Sequence, residues 1–137
     1  VRSEKLYQKM DVDLVVVTEE GQELKLEIKT DSYKSGNIFY EWTSAVETGS
    51  IGCMEKTQAD YLFYYFINLQ TMYIFEMDRY RDWFNENKEM FDYLGYQKRL
   101  KNKRWNGGTY ETVGYAFPIS ILEDLSPKWM RKVYINP

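Results

Sequence analysis

Val12-Asp13-Leu14-Val15-Val16-Val17-Thr18 is a β-branched run, Glu19-Glu20-Gly21-Gln22 supplies turn chemistry, and Glu23-Leu24-Lys25-Leu26-Glu27-Ile28-Lys29 alternates strictly between polar and apolar residues. The pattern predicts a β-hairpin. Side chains alternate with period two along a strand, so Leu24, Leu26 and Ile28 share one face and Lys25, Glu27 and Lys29 the other. The apolar face is expected to be buried and the charged one chemically available. A polar loop over residues 31–36 leads to a third predicted strand, Asn37 to Thr43, which contains Glu41. Ser44 to Thr57 reads as a loop. Tyr61 to Ile67 is continuously apolar and aromatic, predicting a strand buried on both faces, paired through a turn at Asn68 to Thr71 with Met72 to Phe75. Asp78 is the expected N-cap of a helix to about Leu94, with Tyr80, Trp83, Phe84, Phe91 and Leu94 at helical spacings. Gly114 to Ile121 reads as a strand and Leu122 to Leu125 as a helical turn.

Composition excludes more than it assigns. The chain has 137 residues, enough for one domain with a core, and a formal net charge of -3. It contains no histidine, which removes Ser-His-Asp and Cys-His hydrolysis, histidine-dependent nucleases and most zinc enzymes. A single cysteine, Cys53, forms no internal disulfide and no thiolate cluster, and fits a reducing cytoplasm. Oxygen ligands are therefore expected for any metal. No stretch approaches the length of a membrane span, so no membrane association is expected. The chain opens at Val1 in a polar run with the character of a helix tail, and its numbering is expected to start inside a longer natural chain. Charge is unevenly placed: residues 98–132 carry 8 basic and 3 acidic groups, residues 1–97 carry 10 and 18. The last third is the expected anion-facing part.

Asp13 shares a strand face with Val15 and Val17, where a carboxylate is costly unless paired or bound to metal. Pairing the two strands in a suitable register brings Asp13, Glu27 and Lys29 together. Two carboxylates and a backbone carbonyl, here that of Ile28, suit Mg²⁺ and leave positions for water and a phosphate oxygen, with a nearby lysine to orient the nucleophile. The acid-x-Lys triplet alone has little specificity, since it recurs at Glu23/Lys25 and Glu86/Lys88. An exposed strand face balanced by surface ion pairs accounts for it equally well.

Four blocks give the triplet a context: Tyr7-Gln8-Lys9-Met10-Asp11-Val12-Asp13, Glu27-Ile28-Lys29-Thr30-Asp31, Gly36-Asn37-Ile38-Phe39-Tyr40-Glu41 and Glu55-Lys56-Thr57-Gln58-Ala59-Asp60-Tyr61. In this order they resemble small phage- and prophage-type members of the PD-(D/E)XK, or restriction-endonuclease-like, nuclease superfamily, over about the first half of the chain. The Pro-Asp dipeptide of the family name is absent. The resemblance implies a single nuclease-like domain of α/β (α+β) class, with a restriction-endonuclease-like mixed sheet flanked by helices. It also implies an Mg²⁺- (or Mn²⁺-) dependent endo- or exodeoxyribonuclease acting on DNA in a bacterial or phage-infected cytoplasm.

By the same resemblance Asp13 and Glu27 are metal ligands and Lys29 the catalytic lysine. Further candidates are Glu4 on a preceding helix, Asp11 as an alternative ligand two residues before Asp13, Glu41 as an additional acid and Lys56 as a phosphate contact. The basic run Lys98, Arg99, Lys101, Lys103 and Arg104 is a candidate nucleic-acid contact with Trp105 beside it, or else a solvated helix end. A homodimer through Trp42 or Trp129 is a further expectation. Two rival readings stand beside the enzyme: a non-catalytic nuclease-fold module of phage origin with a binding or inhibitory role, and an aromatic-rich domain binding a protein or glycan.

Overall fold

A computed structural model describes residues 12–136, so Glu4, Asp11 and the expected N-terminal helix lie outside the described residues. The fold is α+β. Strands β1 (Leu14–Val17) and β2 (Glu23–Asp31) form the expected antiparallel hairpin, with Leu14 opposite Leu26 and Val17 opposite Glu23. Gly21, at φ 83°, takes the left-handed conformation that closes the turn. The chain continues through β3 (Asn37–Ala45), β4 (Ser50–Ile51), the single-turn helix α1 (Cys53–Lys56), β5 (Tyr61–Phe66), β6 (Thr71–Glu76) and the long helix α2 (Met77–Tyr93). It then forms β7 (Gln97–Lys103), β8 (Thr109–Pro118), α3 (Ser120–Leu125) and β9 (Met130–Tyr134).

The strands divide over two sheets where a single mixed one was expected. The first sheet has the order β1-β2-β5-β6-β9 and is mixed, because β2 and β5 run parallel while the other pairs are antiparallel. The second has the order β4-β3-β8-β7. Helix α2 joins them. Tyr80 stacks on Phe75 of the first sheet at 4.4 Å between ring centres, and Phe84 stacks on Tyr40 of the second at 3.7 Å. One amphipathic helix thus presents aromatic rings to two sheets, and the core is built of Phe66, Phe75, Phe84, Phe91, Tyr115 and Phe117.

This layering corrects several expectations. The first sheet buries the face that carries Glu27 and leaves the Leu24/Ile28 face partly open: Glu27 is 5% exposed and Ile28 40%, with Leu26, between Leu24 and Ile28, buried at 7%. In the parallel register Glu27 lies beside Leu62, Lys29 beside Tyr64 and Asp31 beside Phe66. Leu62, Tyr64 and Phe66 are the buried residues of β5, so the aromatic strand chooses which face of β2 turns inward. Accordingly β5 is buried on one face and half-buried on the other, not on both. The opposite face forms an apolar groove of about 580 Å³ lined by Val16, Leu26, Phe63 and Ile74.

The expected loop 44–57 contains β4 and α1, because Gly52 brings its backbone against Glu41 and Trp42 where a Cβ would not fit. Helix α2 begins at Met77, with Asp78 inside its first turn instead of capping it. The basic run is the edge strand β7 instead of a helix end, and lysines there discourage strand addition by another chain. Trp42 and Trp129 are partly buried and pack against the core.

Candidate functional site

The first sheet assembles the acidic pair where β1 gives way. The Asp13 N–H donates to the Leu26 carbonyl at 2.9 Å, prolonging the ladder by one residue, and its carboxylate Oδ2 accepts the Ile28 N–H at 2.8 Å. A side chain thus takes the place of a strand partner, fixing Asp13 against the Glu27-Ile28-Lys29 segment, in the register that this grouping requires. The N–H and C=O of one strand residue leave on the same side, so the Ile28 carbonyl is directed toward the edge that Asp13 occupies.

Glu27 is the buried member. Its Oε1 lies 3.3 Å from Lys29 Nζ, and its Oε2 accepts the Thr57 hydroxyl at 3.5 Å. Burial raises the Glu27 pKa from its ordinary 4.5; Lys29 opposes the rise and the nearby Asp13 carboxylate adds to it. Burial on its own lowers the Lys29 pKa, but the Cys53 sulfur and the Glu27 carboxylate beside it turn the net direction upward. Lys29 is therefore an ammonium group at neutral pH, suited to donating hydrogen bonds and not to accepting a proton.

Glu41 and α1 close the site from the second sheet. Glu41 Oε2 accepts the Cys53 N–H at 2.8 Å, satisfying one donor at the start of α1. Burial pushes the Cys53 thiol up to about 12, with Lys29 opposing and Glu41 reinforcing. Arg81, from α2, holds the other end of α1: its Nε donates to the Met54 carbonyl at 3.0 Å and its Nη2 to the Thr57 carbonyl at 2.6 Å. The order of influence is thus Arg81 to α1, and α1 to Cys53 and Thr57, which touch Lys29 and Glu27.

Between the sheets lies a cleft of about 430 Å³, whose lining includes Lys29, Asp31, Phe39, Glu41, Cys53 and Lys98. Its carboxylates are occupied: Asp31 accepts the Tyr64 hydroxyl at 2.9 Å and the Tyr33 N–H at 2.8 Å, and Tyr64 in turn accepts the Phe39 N–H at 3.1 Å. Of the basic run, Lys98 reaches this cleft. Arg99, Lys101 and Lys103 alternate onto the other face of β7, where Arg99 pairs with Glu111 at 2.6 Å. Arg104 stacks over the Tyr110 ring at 4.9 Å, and Trp105 is fully exposed in the hairpin turn. Lys56 ends α1 on the exposed surface.

Asp13, Glu27, Ile28 and Lys29 are therefore neighbours, whereas Glu41 is linked to them through Cys53 and shares a cleft with Lys29 and Lys98. Sequence reading passed over Cys53, Thr57, Phe39 and Arg81. Only Gly52-Cys53, a glycine ahead of a polar turn, hints at α1, and nothing local signals that Arg81 reaches back to it.

Among the described residues no three His, Cys, Asp or Glu side chains stand together closely enough to hold a metal ion by themselves. The donor set near Ile28 is two carboxylates and a carbonyl, all hard oxygen ligands. Burial is the main cause of the raised Glu27 pKa, and the Asp13 carboxylate adds to it; a divalent cation between the two would relieve that repulsion. The residues fit Mg²⁺ or Mn²⁺ held by few protein ligands and several waters. No helix among the described residues is long and apolar enough to cross a membrane. No family model, curated protein or solved structure matches the chain.

Proposed function

We propose that the chain is a divalent-metal-dependent nuclease that hydrolyses DNA phosphodiester bonds in the cytoplasm, with Asp13, Glu27 and Lys29 as its catalytic residues. One observation carries the reading: the Asp13 carboxylate accepts the Ile28 N–H, which fixes a second acid beside a buried glutamate that is itself paired with a lysine. A buried glutamate beside a lysine, with the exposed Asp13 carboxylate repelling it, is expensive to maintain, and such perturbed acids cluster where chemistry uses them.

Asp13, Glu27 and the Ile28 carbonyl would hold Mg²⁺ or Mn²⁺, which supplies positive charge that acidifies water and offsets charge on the phosphate. The Lys29 ammonium, steadied by Glu27, donates a hydrogen bond to the attacking water or a nonbridging phosphate oxygen. A water oxygen forms the new bond to phosphorus while the ester P–O bond breaks. The departing oxygen takes up a proton from solvent, and the attacking water releases one. Glu41 and Arg81 are positioning residues that act through α1.

Incubating the protein with end-labelled linear, single-stranded and branched DNAs tests this. Cleavage is expected in Mg²⁺ or Mn²⁺, absent in chelator, and reduced at least about 100-fold by Lys29→Ala and by Asp13→Asn. Cutting that survives both substitutions would refute the assignment. A non-catalytic module that binds through the same cleft is the second reading, favoured by the small number of protein ligands around Ile28. Metal binding without cleavage on any of these DNAs would select it.

A further inference from the structure

We propose that the cleft beside Lys29 receives one unpaired nucleotide of single-stranded DNA, its base lying on Phe39 and its phosphates met by Lys29 and Lys98. The inference rests on the nuclease reading for the register of the scissile phosphate and goes beyond it in naming the form of the substrate.

Phe39 is the central observation. In the pairing of β3 with β8, Phe39 lies opposite Ala116 and Glu41 opposite Gly114, and Lys98 of β7 lies opposite Gly114 in turn. These residues share the cleft face of the second sheet. A Cβ at position 114 would collide with the far edge of the Phe39 ring, so the ring lies down across β8 in the space a side chain would fill. Small residues at 114 and 116 thus leave an aromatic floor instead of a row of side chains. A base stacks on such a surface without sequence preference.

The walls have the chemistry of the rest of a nucleotide. Lys29 stands on one side and Lys98 on the other, with Leu100 beside Lys98. Asp31 and Glu41, the two acids in the lining, already accept hydrogen bonds from Tyr64, Tyr33 and Cys53, and so turn their charge toward protein donors. Tyr33 is exposed in the lining loop and offers a second ring for a neighbouring base. A volume of about 430 Å³ suits a small ligand of nucleotide size. Bases in a duplex have both faces covered by their neighbours, so only an unpaired base, or one turned out of the helix, can present a face to Phe39.

Fluorescence anisotropy with a labelled 12-nucleotide DNA, single-stranded or annealed, in chelator so that metal-dependent cutting is off, tests the inference. The single strand is expected to bind at least about tenfold more tightly than the duplex. Phe39→Ala should weaken single-strand binding by about tenfold, with Phe39→Trp restoring it. Lys98→Ala, on an exposed strand and harmless to folding, should weaken it severalfold. Equal affinity for both forms, or a folded Phe39→Ala protein with unaltered binding, would overturn the inference. The same oligonucleotides in Mg²⁺ separate the two claims. Metal-dependent cutting that ignores Phe39 would leave the nuclease and remove the single-strand site. Phe39-dependent binding with no cutting in any metal would remove the nuclease and keep the binding cleft.

Discussion

Glu27 is held at a cost that a metal would remove. Its pKa is raised in the fold, so ionising it costs more in the native state than in the unfolded chain. That penalty is absent below pH about 4.5 and grows as the pH climbs through the folded value. Glu27→Gln should therefore raise the melting temperature of the metal-free protein at pH 7 to 8, with the gain vanishing toward pH 4.5. Added Mg²⁺ should stabilise the wild type and leave Glu27→Gln unmoved; calorimetric melts across pH, with and without Mg²⁺, check both. Tyr80 is a second costly residue, since its buried hydroxyl has no hydrogen-bond partner among the described residues. Tyr80→Phe should stabilise the fold by about 1 kcal/mol in urea titrations, because an orphaned polar group costs about 1 to 3 kcal/mol. At this scale the alternation of Glu27 and Lys29 was legible from spacing, whereas the placement of Asp13 depended on a register that spacing left open. The buried setting of Glu27 was not, because period two assigns residues to faces without saying which face a distant strand will cover.

Helix α1 is too short to stand by itself, and it depends on Glu41 at one end and Arg81 at the other. Arg81→Ala should loosen α1 and displace Thr57 and Cys53 from the acidic pair. Cleavage should fall by about tenfold while the melting temperature drops by only a few degrees, because two hydrogen bonds to α1 of about 1 kcal/mol each and a surface ion pair with Asp78 are lost. The element was hidden in the sequence because its support comes from Arg81, 27 residues downstream of Met54. Strand β7 teaches the complementary lesson. Its charge was plain in the sequence, but its use depends on strand parity, which a helical reading misses. Lys98→Ala should lower the slope of log affinity against log salt for single-stranded DNA by about 0.7, whereas Lys101→Ala, on the opposite face, leaves it unchanged. Binding titrations at several salt concentrations distinguish the two.

The whole molecule is two sheets on one helix, and the cleft lies between the sheets with Cys53 and Met54 of α1 in its wall. Phe84 stacks on Tyr40 and meets Tyr115 and Phe117, and all four are buried. Phe84→Ala should cost about 3 to 5 kcal/mol and lower the denaturant midpoint accordingly. Strands β1, β2, β3, β5, β6 and β8 and helix α2 were legible, since each carries its own periodicity, whereas β4, β7 and β9 were not. The division into two sheets was not, because it follows from long-range pairings such as β3 with β8 that no local pattern encodes. The burial of the charged face of β2 is the same kind of consequence, and it turns a surface ion pair into a candidate cation site. Titration calorimetry of Mn²⁺ into the wild type, Asp13→Asn and Glu27→Gln tests that site directly. Binding in the wild type that is lost in both folded variants is the predicted result, whereas an unchanged isotherm in the variants, or no heat of binding in the wild type, would contradict it.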